Sequence, residues 1–397
     1  MTVSEMMLEA VKSGSMVRKM FEEGRQLKAI HGISNVFDYS LGNPDLSPPK
    51  GFTEGLSGAW QRTERGLHGY MPNAGLPEAR ARMAEHLRRI HGLGEIGPEL
   101  VVMTVGAAGA LNVVLKTIVE NGDEILVPAP YFMEYGFYAA NHGAKVVPVE
   151  TAEGFRPDPS RLAAAMTGRT KALLICSPNN PTGVVYSKEE IAGIGSLLRE
   201  RRRETGQDIV LIADEPYRKI VFGDVEVPSV FGVHDNSVVV TSFSKDLSLG
   251  GERIGYLCAS PRMPGVEKFI EAATLANRIL GYVNAPALMQ RLVAGLTEDC
   301  VDVRVYQERS RMLREALAGM GYRVVEPEGT FYLFPESPLA DDLAFVEILK
   351  KQLILAVPGT GFGTKGFFRL SLCLDEDMIG RSLVGFGKAL EESGHIG

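Results

Sequence analysis

The sequence predicts an α/β protein with a large domain, whose mainly parallel sheet is sandwiched by helices, and a smaller α+β domain built from both termini. Three observations support this prediction. Strand-like apolar runs alternate with helical patterns from about residue 99 to residue 260. The last hundred residues mix helices with short strands. The first forty residues form an arm that is too short to bury a core of its own.

These patterns divide the chain into three expected parts. Residues 1–45 are an N-terminal arm that belongs partly to the small domain. Residues 46–295 form the large domain, and residues 296–397 form the small C-terminal domain. A chain of 397 residues has room for two or three domains.

The sequence of the arm predicts one amphipathic helix and then a loop around residues 30–34. Residues 37–41 predict a short strand that ends at the turn-forming string 42–45. A helix is expected over residues 78–90, because Pro77 is suited to its first turn.

The middle of the chain predicts a parallel sheet. Its strand-like runs are 100–105, 124–127, 145–149, 172–176, 209–213 and 237–241. Ser187 and Glu190 predict a capping box at the start of one intervening helix. The last hundred residues predict helices at 302–320, 342–352 and from 376, with strands at 323–325, 331–334, 353–357 and 367–372.

Composition and charge exclude several classes of protein. The net charge of -7 comes from 42 basic and 49 acidic residues without a long single-sign block, so neither nucleic acid nor a membrane is an expected partner. The 4 cysteines are far apart, which argues against a metal site or a disulfide framework. Charged residues throughout positions 1–24 argue against a signal peptide, so a cytoplasmic location is expected.

Lys245 is the strongest candidate for chemistry. It follows the strand-like run 237–241, and ligands of open α/β sheets bind beyond the carboxyl ends of strands. Ser242, Ser244 and Arg253 stand close to it in sequence. Two hydroxyls and an arginine beside an amine suit a phosphorylated aldehyde, and pyridoxal phosphate is such a group.

Asn180 and Asp214 follow two further strand-like runs. In a parallel sheet they and Lys245 would converge on one edge. A carboxylate at the mouth of a buried strand needs a cationic partner. For Asp214 that partner is either the neighbouring Arg218 or a protonated pyridine nitrogen.

Together, these motifs resemble those of the fold type I, pyridoxal-phosphate-dependent aminotransferases of the aspartate aminotransferase superfamily (class I/II). The matching strings are Asn180-Pro181-Thr182-Gly183, Asp214-Glu215-Pro216-Tyr217, Ser242-Phe243-Ser244-Lys245 and Phe368-Arg369-Leu370-Ser371. They follow the family's order near its spacings, from about residue 39 to the end. The resemblance implies that the large domain binds the cofactor.

The resemblance also implies roles for single residues. Lys245 would hold the cofactor's aldehyde covalently and move the substrate proton. Asp214 would pair with the pyridinium nitrogen and keep it protonated. Asn180 and Tyr217 would hydrogen-bond the phenolic oxygen of the ring.

Two sides of a phosphate site are implied. Ser242, Ser244 and Arg253 would supply one side. Backbone N–H groups at the start of a helix would supply the other, and these belong to Gly106, Ala107 and Ala108. Many relatives have a serine or threonine in this loop, so one hydroxyl contact is expected to be absent here.

Two aromatic residues have implied roles. Phe132, in preference to Tyr131, would stack on the pyridine ring. Tyr70 would reach across a homodimer to the neighbour's phosphate, which implies shared active sites; the alternative is a plain surface aromatic.

The resemblance places the substrate's α-carboxylate on Arg369, beside Asn180 and the backbone of Gly42. Arg278 stands roughly where dicarboxylate-specific relatives present an arginine across the dimer, with a helix-surface arginine as the equal alternative. An aspartate or other dicarboxylic donor is therefore favoured, and aromatic or other neutral amino acids remain the alternative.

The expected reaction moves an amino group from an L-amino acid to a 2-oxo acid such as 2-oxoglutarate by a ping-pong mechanism. A same-fold lyase or synthase using the same cofactor is an alternative, since the fold does not decide between them. A non-enzymatic binding module with this fold would be expected to lack Lys245, Asp214 or Arg369, and all three are present.

Overall fold

The computed structural model describes residues 2–12, 16–62 and 64–394. The N-terminal part contains α1 (Glu5–Lys12), α2 (Met16–His31), β1 (Phe37–Asp38), α3 (Lys50–Trp60) and α4 (Pro77–His91). The arm is thus helical on both sides of residues 13–15, which lie outside the described residues.

Helix α3 was not predicted. Its three glycines lower the intrinsic helix propensity, so tertiary contacts decide its structure. Phe52 joins the buried core, and Gly51 and Gly55 allow the side chains of Leu296 and Leu292 to approach closely.

A seven-stranded sheet forms the centre of the molecule, with strand order β2-β8-β7-β6-β5-β3-β4. Its strands are β2 (Val101–Thr104), β3 (Glu124–Ala129), β4 (Lys145–Glu150), β5 (Thr170–Cys176), β6 (Val210–Asp214), β7 (Ser237–Ser242) and β8 (Gly255–Ala259). The pairs from β4 through β7 are parallel, whereas β8 is antiparallel to both of its neighbours. The six predicted strands are present, and the mainly parallel sheet is confirmed. β8 was missed because a short apolar run has no diagnostic period.

Helices cover both faces of this sheet, as its two-sided core requires. They are α5 (Gly106–Ile118), α6 (Glu134–Ala140), α7 (Pro159–Ala165), α8 (Lys188–Thr205), α9 (Val266–Ile279) and α10 (Ala287–Ala294). Alternate residues of one strand enter different apolar clusters: Leu173 and Ile175 pack on one side, Ala172 and Leu174 on the other. The predicted capping box is confirmed, since both hydrogen bonds between Ser187 and Glu190 are present.

The C-terminal part has α11 (Val303–Met320), β9 (Tyr332–Leu333), α12 (Asp342–Lys351), β10 (Ile354–Leu355), β11 (Val357–Pro358), β12 (Phe368–Ser371) and α13 (Glu376–Glu392). Strands β11, β12 and β9 form an antiparallel sheet. The predicted strand at 323–325 is only an isolated bridge between Val324 and Pro335. The predicted strand at 353–357 is two short strands.

The two ends of the chain meet at β1, which pairs in parallel with β10. Phe37 lies opposite Ile354, and Asp38 lies opposite Leu355. This pairing places the segment after β1, including Gly42, beside the C-terminal strands.

Among helices in the described ranges, none has both the length and the apolar character that a membrane span requires.

Candidate active site

A cavity of about 690 Å³ lies where β5, β6 and β7 end. Most of the predicted site residues line it: Gly42, Ala107, Ala108, Phe132, Asn180, Asp214, Tyr217, Ser242, Ser244, Lys245, Arg253 and Arg369. Helix α2 and the segment after β1 complete the wall. The structure thus brings residues from distant parts of the sequence into one space.

Lys245 lies three residues beyond the end of β7, and its side chain is partly buried. Its Nζ donates a hydrogen bond of 2.8 Å to the backbone oxygen of Gly42. Desolvation, together with charge repulsion from Arg369 and Arg253, lowers the pKa of Lys245 to about 8. A lysine with this pKa is partly neutral near pH 7, as a nucleophilic amine must be.

Asp214 is the last residue of β6 and is buried. Its Oδ2 accepts a hydrogen bond of 2.6 Å from the hydroxyl of Tyr135, while its Oδ1 has no partner among the described residues. Desolvation raises the pKa of Asp214 to about 7. Arg218 is not its partner, because that guanidinium pairs with Glu215 at 2.8 Å. The orphaned Oδ1 is therefore available to a cationic ligand atom.

Arg369, in β12, is the largest fully buried side chain of the described residues. Its Nη1 donates to Oδ1 of Asn180 at 3.0 Å, and its Nη2 donates to the backbone oxygen of Ser40 at 2.6 Å. Tyr332 and Phe362 place their rings 4.5 and 4.8 Å from the guanidinium carbon. The Nε atom has no partner among the described residues. The site thus presents a buried cation suited to a carboxylate.

Tyr217 lies beside this arginine. Its hydroxyl is 3.0 Å from that of Tyr332, and both tyrosines are buried. A Cβ on Gly42 would lie 1.9 Å from the Tyr332 hydroxyl, so only glycine fits there. Gly42 thereby allows its backbone to approach both Tyr332 and Lys245.

The other end of the cavity begins at α5. Gly106, its first residue, has a φ of +79°, and a Cβ there would lie 3.0 Å from Nη2 of Arg253. Arg253 itself has a positive φ of 51° and donates from Nη1 to the backbone oxygen of Gly250 at 3.0 Å. No side chain in the described part of the chain caps the first N–H groups of α5. A helix N-terminus facing an arginine suits a phosphate dianion.

Ser242 and Ser244 add two buried residues to this end of the cavity. Phe132 lines the cavity and packs edge-on against Tyr135, with ring centroids 5.6 Å apart. Tyr131 does not line it and instead contacts the loop around Gly363.

Three predicted residues are not part of the cavity wall. Gly106 lies behind it, against Arg253. Tyr70 is 96% exposed and does not line the cavity. Arg278 is exposed near the end of α9.

Sequence reasoning missed several residues of the wall, among them Glu22, Arg25, Tyr135 and Tyr332. Tyr135 follows Phe132 by three residues at the start of α6, and that spacing was a usable signal. The other three carry no local signal, because long-range packing alone brings them to the cavity.

These groups fit pyridoxal phosphate: an amine for its aldehyde, an orphaned carboxylate oxygen for its ring nitrogen, and a helix N-terminus with Arg253 for its phosphate. No cluster of three or more potential metal ligands occurs within the described ranges.

Comparison with known proteins identifies the family. Residues 35–384 match the aminotransferases of class I and II, so the chain belongs to this family and is an aminotransferase. The resemblance inferred from the motifs is confirmed. Enzymes of this family depend in general on pyridoxal phosphate.

Individual relatives agree with this assignment. The chain is 33% identical to the aspartate/prephenate aminotransferase of Thermus thermophilus over 357 residues, covering 88% of this chain and 90% of the relative. An aminotransferase crystal structure from Eubacterium rectale matches with a TM-score of 0.95 at 36% identity, covering 99% of each chain. The Thermus thermophilus aspartate aminotransferase solved with maleate matches with a TM-score of 0.86 at 29% identity, covering 98% of this chain and 100% of that one.

Proposed function

We propose that this aminotransferase uses pyridoxal phosphate to move the amino group of a dicarboxylic L-amino acid, such as aspartate, to a 2-oxo acid such as 2-oxoglutarate. The convergence of Lys245, Asp214 and Arg369 on one cavity carries the proposal. Burying an amine, a carboxylate and a guanidinium from three different parts of the chain in one cavity is otherwise costly.

The cofactor supplies an aldehyde that links to amines and a ring that withdraws electrons from the substrate. Lys245 provides the amine that anchors it, and its Nζ then holds the proton removed from the substrate Cα. Burial supports both tasks, because it keeps the Lys245 amine neutral in a fraction of the protein molecules near pH 7.

Asp214 holds the ring nitrogen through its unpartnered Oδ1, and Tyr135 orients the carboxylate by donating to Oδ2. Asn180 and Tyr217, which line the same cavity, donate to the phenolic oxygen in this proposal. Ser242, Ser244, Arg253 and the first N–H groups of α5 bind the phosphate. Phe132 packs against the ring.

Arg369 binds the α-carboxylate of the substrate. Asn180 and Ser40 orient its guanidinium, and the unpartnered Nε leaves bonding capacity for the substrate. The dicarboxylic preference is supported by relatives named aspartate aminotransferase, including the Bacillus subtilis enzyme at 30% identity, and by the relative solved with the dicarboxylate maleate.

The working molecule in this proposal is a homodimer with shared active sites. Tyr70 supports it, because a tyrosine that is 96% exposed gains burial when it crosses to a neighbour's phosphate.

Borohydride reduction in the presence of pyridoxal phosphate tests the proposal. We expect the protein to gain one covalently attached cofactor, and peptide mass spectrometry to locate it on Lys245. Lys245→Ala should gain none. Attachment at another lysine, or to no lysine, would refute the role of Lys245. Product analysis with aspartate then separates the alternatives, because a lyase releases ammonia whereas an aminotransferase needs an oxo acid acceptor.

A further inference from the structure

Among the described residues, four cationic side chains line the cavity: Arg25, Lys245, Arg253 and Arg369. In the proposed function, Lys245 holds the cofactor, Arg253 the phosphate and Arg369 the α-carboxylate. Arg25 has no task there. A dicarboxylic substrate brings one further negative charge, which needs a partner in the cavity.

Arg25 lies on α2, and its side chain is exposed to the cavity. It has no hydrogen bond or ion pair with the described part of the chain. Glu22 lies one turn earlier and also lines the cavity. The guanidinium of Arg25 is therefore available to a ligand.

A chain of hydrogen bonds sets the position of α2 relative to Arg369. Lys28 Nζ donates to Oδ2 of Asp38 at 2.6 Å. The other carboxylate oxygen of Asp38 accepts from the N–H and hydroxyl of Ser40, at 3.1 and 2.6 Å. The backbone oxygen of Ser40 accepts from Arg369. Arg25 lies one helical turn before Lys28, so the same bonds relate it to the α-carboxylate site.

Two further contacts hold this helix against the C-terminal part. Lys350 Nζ donates to Oε2 of Glu23 at 3.0 Å. Gly24 packs so closely that a Cβ would lie 2.7 Å from Cδ1 of Leu355. With residues 23 and 24 facing the C-terminal part, residues 22 and 25 face the cavity.

We propose that Arg25 binds the distal carboxylate of a dicarboxylic substrate and thereby determines the preference for such substrates. This inference rests on the proposed function. Arginine suits the task because its planar guanidinium forms bidentate pairs with carboxylates. In this assignment the substrate bridges two arginines, Arg369 at the α-carboxylate and Arg25 at the far end. Arg278, outside the cavity wall, has no part in the assignment.

The test compares Arg25→Met, Arg25→Lys and the control Gln26→Met, whose exposed side chain is the next one on α2 and does not line the cavity. Steady-state kcat/KM is measured with aspartate, which has two carboxylates, and with alanine, which has one. Arg25→Met should lower kcat/KM for aspartate at least about tenfold, the effect expected on losing a hydrogen bond between charged groups. Its kcat/KM for alanine should change less than about twofold, and Arg25→Lys should retain part of the activity with aspartate.

A binding measurement provides a second readout that does not depend on turnover. Calorimetry should show maleate binding at least about tenfold more weakly to Arg25→Met, with crotonate, which has one carboxylate, unaffected. Equal losses for aspartate and alanine, or no loss for aspartate, would overturn the inference and leave the amino-transfer function intact. A wild-type protein that transfers no amino group from any donor would instead refute the proposed function, and the inference with it.

Discussion

Desolvation moves the pKa values of two residues of the cavity towards neutrality. The pKa of Lys245 falls to about 8, whereas that of Asp214 rises to about 7. Both shifts have the same cause, since burial disfavours the charged form of either group. Each residue can therefore exchange its charge state near physiological pH when a ligand arrives, which is the property that the proposed chemistry needs.

The hydroxyl of Tyr135 should support the ionised form of Asp214. Tyr135→Phe removes the one hydrogen bond that lowers the pKa of this carboxylate, so the pKa rises further. We expect kcat/KM to fall about 10- to 100-fold, as is usual when a hydrogen bond to a charged group is lost. The pH–rate profile of Tyr135→Phe measures this, with Tyr131→Phe as control. An unchanged profile would show that Tyr135 does not act on Asp214.

The neutral amine of Lys245 should react at an unusually low pH. In the protein without cofactor, modification by trinitrobenzenesulfonate should increase with pH around a midpoint of about 8, below the ordinary lysine pKa of 10.5. Because burial places the folded-state pKa of Lys245 below the unfolded-state value, the charged ammonium lowers the stability of the folded protein below about pH 8. This loss of stability disappears as the pH rises past the unfolded-state value. Lys245→Ala should lose this reactive phase. A midpoint near 10.5 would contradict the desolvated environment.

At the scale of elements, the start of α5 depends on Gly106. Gly106→Ala would place a side chain at positive φ, at a strain cost of roughly 1–2 kcal/mol, and would press on Arg253. We expect cofactor affinity to fall about tenfold or more, measured by fluorescence titration. Gly94→Ala is the matched control, because a Cβ there meets nothing within 4 Å and its φ is not positive. Equal affinities of the two variants would argue against a phosphate site at this helix.

The sequence predicts the cavity residues at the ends of the central strands better than the cavity residues that other elements contribute. Asn180, Asp214 and Lys245 could be placed together because the carboxyl ends of parallel strands meet at one edge. Tyr332 and Arg25 could not, since they reach the cavity through the pairing of β9 with β12 and the packing of α2. Other contacts at the cavity join segments more than 300 residues apart, as in the bond from Arg369 to Ser40.

For the whole molecule, we propose two domains. Residues 46–295 form the large domain, and residues 296–397 form the small domain together with part of the arm 1–45. The apolar clusters support this division. One cluster combines Met20 and Tyr39 with residues from Val301 to Leu390, whereas the clusters on the two faces of the large sheet end at Leu296. Cys176 and Tyr217 join the first cluster from the large sheet, so the two cores meet at the cavity.

The proposed homodimer predicts that two inactive variants complement each other. Lys245→Ala lacks the amine, and Tyr70→Ala lacks the side chain expected to cross to the neighbour. A hybrid dimer contains one site with both residues intact, so mixing after mild denaturation and renaturation should restore up to about a quarter of wild-type activity by random pairing. Sedimentation should show dimers in each preparation. Monomers, or mixtures without recovered activity, would contradict shared active sites.

A single-turnover experiment tests the central claim most directly. The protein loaded with pyridoxal phosphate is mixed with aspartate in the absence of an oxo acid acceptor, and the products are quantified. Amino transfer predicts one equivalent of oxaloacetate per active site, no free ammonia, and renewed turnover only when 2-oxoglutarate is added. Continuous release of ammonia without an acceptor, or no oxo acid from any amino donor, would contradict the account.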